Sequence, residues 1–173
     1  LLVAIEQIVK RRVHFNLGVG ERVELFSWFT LCYVENNGFA CGMQLGSGEG
    51  GVDWGKLVLS LFRIGMIGAL IYGIGYLIKR KSSVPRGVIV GAVLILAGAI
   101  GNMIDSLLYG VLLDTQDGGL LMGKVIDMIH LPLFKWENCP EVLDFLVGWD
   151  GYFFGAVFNV ADAYISVAVV YLL

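Results

Sequence analysis

The chain has 173 residues, of which 57% are hydrophobic and only 16% are charged, and its mean hydropathy is +0.78. Soluble domains carry about 25% charged residues, so this composition leaves too few polar side chains for a surface that is in water on all sides. The net charge of −3 argues against a nucleic-acid partner, which would require a basic face. Composition therefore predicts a single-domain membrane protein.

The first part of the chain predicts an apolar segment followed by a small β-sheet. Residues 1–5 are apolar, and we expect them to be the end of a membrane span that begins before Leu1. Apolar and polar side chains then alternate over residues 23–31, a pattern typical of a half-buried strand. Asn36-Asn37-Gly38 favours a tight turn after this run. We expect the sheet to occupy about residues 13–45 and to lie on the outer membrane surface.

Three longer apolar runs have the length of membrane spans. They cover about residues 57–78, 87–104 and 152–173, each near the ~20 residues that cross a hydrocarbon core. The connector at 79–86 holds four basic residues and no acid, so the positive-inside rule places it in the cytoplasm and the other two connectors outside. The predicted fold is an all-α membrane protein with four transmembrane helices, the first of them cut by the start of the chain. A small extracytoplasmic β-sheet and an outer loop or helix between spans three and four complete it.

The cysteines and histidines do not suggest a metal site. Cys32, Cys41, Cys139, His14 and His130 have no metal-ligand spacing, and the chain lacks CxxC, HExxH and GxSxG motifs. No metal or other cofactor is expected. A Cys32–Cys41 bridge is conceivable outside the cytoplasm, but buried free thiols are the favoured interpretation.

Polar residues within the apolar runs are the most informative signal, because amide and carboxylate groups are costly at membrane depth. Asn102 and Asp105 share one face of the third span with Gly98, and Asn159 and Asp162 share one face of the last span. Such residues usually face the interior of a helical bundle and mark a functional path. The alternative is that they only hold helices together through hydrogen bonds.

Five short motifs follow one another along the chain. They are Glu6-Gln7-Ile8-Val9-Lys10, Asn36-Asn37-Gly38-Phe39-Ala40-Cys41-Gly42, Gly98-Ala99-Ile100-Gly101-Asn102-Met103-Ile104-Asp105, Val125-Ile126-Asp127-Met128-Ile129 and Phe158-Asn159-Val160-Ala161-Asp162-Ala163-Tyr164-Ile165. Taken together, in this order and with this topology, they resemble the motifs of the lipoprotein signal peptidase family, bacterial signal peptidase II. The resemblance covers essentially the whole chain.

The resemblance implies a membrane aspartyl endopeptidase that removes signal peptides from diacylglyceryl-modified prolipoproteins by cleaving just before the lipidated cysteine. It implies a catalytic pair formed by Asp127 and Asp162. The residues implied to bind substrate or to support this pair are Lys10, Asn36, Gly38, Asn102, Asp105 and Asn159. The implied location is the bacterial cytoplasmic (inner) membrane, with the active site at its outer face. The expected partners are lipid-modified prolipoproteins and membrane phospholipid, and we expect a monomer.

The roles of several supporting residues remain open at this stage. The asparagines either orient the substrate backbone and the carboxylates or make purely structural hydrogen bonds. Lys10 either neutralises a nearby acid or faces phospholipid headgroups. His130 is close to Asp127 in the sequence and could tune its pKa, but loop packing is favoured because an apolar segment containing proline follows.

The chain departs from the family pattern at two positions. Glu6 stands where the family usually has Asp, and Ser106 stands where it usually has Arg. Arg63, a lone cation inside the second span, is a hypothetical substitute for that arginine. The favoured alternative is that its side chain reaches out to the lipid–water interface.

Two other functions compete with the peptidase. A non-enzymatic membrane protein, such as a small transporter or an assembly factor, could place Asp105, Asp127 and Asp162 in an ion path. An inactive relative of the peptidase is the second alternative, although both carboxylates of the implied pair are present.

Overall fold

The computed structural model describes residues 1–37, 54–80, 84–113, 116, 119–140, 143, 147 and 151–173. The helices are α1 (Leu2–Asn16), α2 (Trp54–Lys79), α3 (Arg86–Ile104), α4 (Gly110–Leu112) and α5 (Val160–Leu172). The strands are β1 (Arg22–Phe26), β2 (Phe29–Asn36), β3 (Val125–His130) and β4 (Val157–Phe158).

The chain forms two compact units. The helical unit comprises Leu1–Gln7, Asn36–Val125 and Ala161–Leu173. The sheet unit comprises Ile8–Glu35 and Ile126–Val160.

Two helical segments of the helical unit are long and apolar enough to cross a membrane. They are Trp54–Lys79, with 26 residues, and Arg86–Leu112, with 27 residues. The second combines α3 and α4 with the π-helical turn Asp105–Tyr109 that joins them. Large apolar side chains such as Phe62 and Tyr72 are exposed on α2, as expected for a surface covered by lipid. The prediction of a mostly helical membrane protein with a small sheet is confirmed at this level.

The last helix begins later than the predicted span. The apolar run starts at Tyr152, but α5 begins at Val160 and has 13 residues. Tyr152 and Phe153 form isolated β-bridges, and Val157–Phe158 pair with β3. The prediction was wrong here because hydropathy does not distinguish a buried strand from the start of an apolar helix.

Glycines on α3 allow α5 to pack closely against it. A Cβ at Gly91 would lie 2.7 Å from Leu172 Cγ, and one at Gly87 would lie 2.5 Å from the hydroxyl oxygen of Tyr171. Further along, a Cβ at Gly98 would collide with the carbonyl oxygen of Ala161. Small residues at such positions are typical of helix pairs in membranes, where association depends on close packing.

The sheet unit contains a four-stranded sheet in the order β1-β2-β3-β4. The presence of a small sheet is therefore confirmed, but residues 13–16 of the predicted sheet region belong to α1 and residues 38–45 lie outside the described residues. The alternating run forms a hairpin that turns at Ser27 and Trp28. Gly20 precedes β1 with a φ of +84°, a conformation that glycine adopts at no steric cost. The core of this unit includes Cys32, Tyr33 and Met128.

The connector between the predicted third and fourth spans supplies one strand of the sheet. It was predicted as an outer loop or helix, whereas it contains β3, which pairs antiparallel with β4 at the start of the predicted fourth span. β3 is rich in β-branched and apolar side chains, and five of its six residues are buried. A strand covered on both faces lacks the alternation by which a half-buried strand is recognised, and this strand was missed for that reason.

Candidate active site

Asp127 lies in the middle of β3, where it is only 3% exposed. Its Oδ1 accepts a hydrogen bond from Nδ2 of Asn159 at 2.6 Å, and Asn159 is fully buried. The strand register explains this contact. Ile129 pairs with Phe158, and Asn159 is the next residue after β4, so it lies alongside the middle of β3. Within the sheet unit, Asp127 is therefore oriented by a hydrogen bond from the buried side-chain amide of Asn159.

Asp162 lies in the first turn of α5, within the helical unit. Its Oδ1 accepts a hydrogen bond from Nδ2 of Asn102 on α3 at 2.8 Å. Gly98, one turn before Asn102, permits this contact because it leaves room for the carbonyl oxygen of Ala161. The two aspartates thus have the same type of partner, the side-chain amide of an asparagine.

The sequence model of the family described as Signal peptidase (SPase) II matches residues 1–173, which is the whole chain. The chain belongs to the signal peptidase II family. The lipoprotein signal peptidase of Porphyromonas gingivalis is 34% identical over 186 aligned residues, covering 100% of this chain and 78% of that protein. That of Amoebophilus asiaticus is 35% identical over 178 residues, covering 98% and 71%. The resemblance inferred from the five motifs is therefore confirmed.

Two solved structures, both described as bacterial membrane enzymes, have the same fold. Each superposes with a TM-score of 0.63 and covers 99% of this chain. Their sequences are 21% and 19% identical, and the match covers 84% and 79% of their lengths. This likeness concerns the fold alone.

The first signal peptidase II motif is anchored by Gln7, which connects three parts of the helical unit. Nε2 of Gln7 donates to Glu6 Oε2 at 2.9 Å, to Asp105 Oδ1 at 2.9 Å and to the carbonyl oxygen of Gly101 at 3.2 Å. The hydroxyl of Tyr109 donates to Oε1 of Gln7 at 2.9 Å. Because Glu6 and Asp105 are both fully buried, Gln7 supplies a donor that each carboxylate needs away from water.

Glu6 fits its position because the neighbouring residue on α3 is glycine. A Cβ at Gly101 would lie only 2.8 Å from Oε2 of Glu6 and 3.3 Å from Cβ of Ala161. The longer arm of Glu6, compared with the family's usual Asp, is therefore accommodated in this chain by close packing against α3.

The third motif ends in a π-helical turn, Asp105–Tyr109, which replaces regular α-helix. The segment after α4 packs against this turn and donates hydrogen bonds to its carbonyl oxygens. The N–H of Gly123 donates to the carbonyl oxygen of Ser106 at 2.9 Å, and the N–H of Leu121 donates to that of Leu107 at 3.2 Å. Gly123 is required for this approach, since a Cβ there would collide with the carbonyl oxygen of Asp105. Isolated π-turns inside α-helices occur frequently at functional sites.

The remaining predicted residues lie in several places. Lys10 is on α1 and fully buried, which favours a role in neutralising an acid over contact with lipid headgroups. Asn36 is the last residue of β2 and is partly buried. Gly38 lies outside the described residues. His130 is only 3% exposed, which agrees with a packing role, but it is the last residue of β3 and does not lie in a loop as predicted.

His130 also borders a cavity on the sheet unit. The cavity has a volume of about 360 Å³. Its lining includes Arg22, Glu24, Thr30 and Tyr152. Charged and polar side chains of β1 and β2 therefore share this cavity with the buried imidazole.

Sequence reasoning missed three residues that the structure brings into the site. Gln7, Ser106 and Tyr109 make side-chain hydrogen bonds to motif residues but were not among the predicted supporting set. The signal for Gln7 was its place inside the first motif. Tyr109 follows Asp105 by four positions, which places both on one side of a helical segment.

Cys32 is a free, buried thiol on β2, as predicted, and we expect it to be unreactive. Its Sγ donates to the carbonyl oxygen of Met128 at 3.5 Å. Burial raises the pKa of the Cys32 thiol above its ordinary value of 9.0; the Asp127 carboxylate acts in the same direction, whereas Arg22 opposes it. A thiol that stays protonated is a poor nucleophile. Cys41 lies outside the described residues.

Within the part of the chain that the structure describes, no three His, Cys, Asp or Glu side chains form a group that could hold a metal ion. The carboxylates instead have amide partners.

Proposed function

We propose that this protein is a membrane aspartyl endopeptidase that releases signal peptides from lipid-modified prolipoproteins, with Asp127 and Asp162 as its catalytic pair. Membership of the signal peptidase II family, with relatives named lipoprotein signal peptidase across the full chain, supports removal of signal peptides from prolipoproteins. The non-enzymatic alternative, a small transporter or an assembly factor, is not favoured, because the relatives that match over 98–100% of this chain are named lipoprotein signal peptidase.

The observation that carries the aspartyl mechanism is the shared environment of the two aspartates. Each accepts a short hydrogen bond from an asparagine amide, at 2.6 Å for Asp127 and 2.8 Å for Asp162. An amide donor fixes the orientation of one carboxyl oxygen whichever protonation state the group adopts. In addition, Asn159 and Asp162 are three residues apart, so covalent geometry alone keeps their Cα atoms within about 11 Å.

Two aspartates that share one proton can hydrolyse a peptide without a metal or a covalent intermediate. The ionised carboxylate takes a proton from water as the water oxygen attacks the scissile carbonyl carbon, while the protonated carboxyl gives its proton to the carbonyl oxygen. The resulting gem-diol then collapses. The C–N bond breaks, the leaving nitrogen receives the proton that came from water, and a gem-diol hydroxyl returns its proton to the other carboxylate. The pair ends in its starting state.

The proposed substrate bond lies just before a diacylglyceryl-modified cysteine, and the leaving nitrogen is that cysteine's amino group. The acyl chains would remain in lipid, where the exposed apolar surfaces of α2 and α3 also lie. We propose four transmembrane helices, with the basic connector after α2 in the cytoplasm and the active site at the outer face of the inner membrane.

The test is to incubate the purified protein, in detergent or in bilayers, with a diacylglyceryl-modified prolipoprotein. Cleavage is measured as the change in mass of the prolipoprotein. Asp127→Asn and Asp162→Asn preserve shape and remove one ionisable group each, and we expect both to lower kcat by at least about a thousandfold. Glu137→Gln, on an exposed turn of the sheet unit, is the matched control and should cleave normally. Normal cleavage by either Asp variant would overturn the proposed pair, and an unmodified prolipoprotein cleaved equally well would overturn the lipid requirement.

A further inference from the structure

An otherwise apolar helix, α2, carries three polar residues on one face. Lys56, Ser60 and Arg63 follow the spacing i, i+4 and i+7, which places them on the same side of the helix. Their neighbours Phe62 and Ile64 are exposed and apolar, as expected for contact with lipid. The polar face instead makes contacts inside the helical unit.

Each member of this face has a defined partner. Nζ of Lys56 lies 3.4 Å from Oδ1 of Asn37, and Oγ of Ser60 donates to the carbonyl oxygen of Leu121 at 3.0 Å. Nη1 of Arg63 donates to Oγ of Ser106 at 2.7 Å. The guanidinium is therefore held against the π-helical turn, which a side chain reaching for the lipid–water interface would not do.

The contact of Arg63 continues towards Asp162 through two further hydrogen bonds. Oγ of Ser106 donates to the carbonyl oxygen of Asn102 at 3.1 Å, and Nδ2 of Asn102 donates to Oδ1 of Asp162 at 2.8 Å. A serine hydroxyl has one proton to donate and lone pairs to accept with, so Ser106 accepts from Arg63 and donates to Asn102 at the same time. Ser106 is only 2% exposed, so water does not compete for these bonds.

A guanidinium in an apolar helix is costly unless it is paired, and a hydrogen bond from a charged donor is stronger than one between neutral groups. The charge on Arg63 therefore polarises the Ser106 hydroxyl and strengthens its hydrogen bond to Asn102. This bond fixes the backbone of α3 at the residue whose side chain holds Asp162.

We propose that Arg63 is a positioning residue that acts through Ser106 and Asn102 to hold the carboxylate of Asp162 in its reactive orientation. The proposal rests on the proposed function of Asp162. The sequence suggested the hypothesis that Arg63 provides the cation absent at position 106. The hydrogen bonds through Ser106 and Asn102 are the physical basis for that hypothesis.

The test measures kcat and KM separately for variants of Arg63 and Ser106, using the same lipid-modified prolipoprotein. Arg63→Gln should lower kcat about tenfold and change KM by less than about twofold, and Arg63→Lys should recover part of the loss. Ser106→Ala should lower kcat as well, and adding Arg63→Gln to it should have little further effect, because both substitutions interrupt one connection. Arg80→Gln, which removes the same charge just after the end of α2, is the control and should be neutral.

An exchange variant keeps the proposal testable if Arg63→Gln does not fold. In Arg63→Ser combined with Ser106→Arg, the two partners of the hydrogen bond change places, and we expect a higher kcat than for Arg63→Gln or for Ser106→Arg alone. Wild-type kcat for Arg63→Gln, a loss confined to KM, or full additivity with Ser106→Ala would each overturn the proposal. If Asp162→Asn cleaves normally, the proposed catalytic pair is at fault; if it is inactive while Arg63→Gln is normal, only the role of Arg63 fails.

Discussion

Asn159 donates its side-chain N–H to Oδ1 of Asp127 across 2.6 Å, and both residues are buried in the sheet unit. This bond orients one oxygen of the Asp127 carboxylate. Asn159 is placed by the end of β4, so the short antiparallel pairing of β3 with β4 determines where this donor lies. A strand of two residues, Val157–Phe158, thus positions the hydrogen-bond donor to Asp127, one member of the proposed catalytic pair.

We predict that Asn159→Ala lowers kcat by about ten- to a hundredfold and destabilises the fold by about 1–3 kcal/mol, because it leaves a buried carboxyl group without its donor. Asn159→Gln carries the same amide on a longer arm and should recover stability better than activity. Steady-state kinetics and thermal unfolding of the two variants measure these effects. Unchanged kcat in Asn159→Ala would show that this hydrogen bond is purely structural.

We predict that Gly98→Ala lowers both the thermal midpoint and kcat. The added methyl group would meet the carbonyl oxygen of Ala161, and because that atom is backbone, α5 must shift. Overpacking of this kind costs about 1–3 kcal/mol, and the shift also disturbs the bond between Asn102 and Asp162.

Gly68→Ala provides the control for that substitution. Gly68 is on α2, and a Cβ there would have nothing within 4 Å. Alanine in an open helical position is favoured over glycine by about 0.5–1 kcal/mol, so this variant should be neutral or slightly more stable. Equal behaviour of the two alanine variants would contradict the close packing of α3 and α5.

The sequence predicted those parts of the molecule that have a local signature. Apolar runs identified α2 and α3, and alternation identified the region of β1 and β2 but not the turn between them, because both patterns depend only on which face of an element is buried. Short motifs identified the family and are the basis for proposing Asp127 and Asp162 as the catalytic pair. These features follow from neighbouring residues and need no knowledge of distant contacts.

The rest of the site depends on contacts between distant parts of the chain. β3 is buried on both faces, so its sequence lacks the alternation of apolar and polar residues by which a strand is recognised. β4 has only two residues and is defined by its pairing with β3. Gln7 reaches Asp105 across 98 positions of sequence, and Arg63 reaches Ser106 across 43. The direction of the Arg63 side chain, towards α3 or towards lipid, is decided by the partner that the fold supplies.

We predict that Gln7→Leu destabilises the protein more than Tyr109→Phe. Leucine removes the donor shared by Glu6 and Asp105, which leaves two buried carboxylates without that partner, whereas phenylalanine removes one hydrogen bond to Gln7. The Tyr109→Phe change should cost about 0.5–1.5 kcal/mol, and Gln7→Leu should cost several times as much. Thermal midpoints in the same detergent compare the two variants. A smaller effect for Gln7→Leu would mean that Gln7 does not hold the two carboxylates.

We predict that the stability contributed by Cys32 is lost in alkaline solution. Burial raises the pKa of this thiol in the folded protein, so below its ordinary value of 9.0 the thiol is neutral in both states and the contribution is fully present. As the pH rises above 9.0, the unfolded chain releases the proton first, and the folded state loses relative stability. Thermal midpoints measured from pH 7 to about pH 10.5 should therefore fall more steeply for the wild type than for Cys32→Ala, in which all other titrating groups are retained. Parallel curves for the two proteins would show that the Cys32 thiol titrates in the folded state as it does in the unfolded chain.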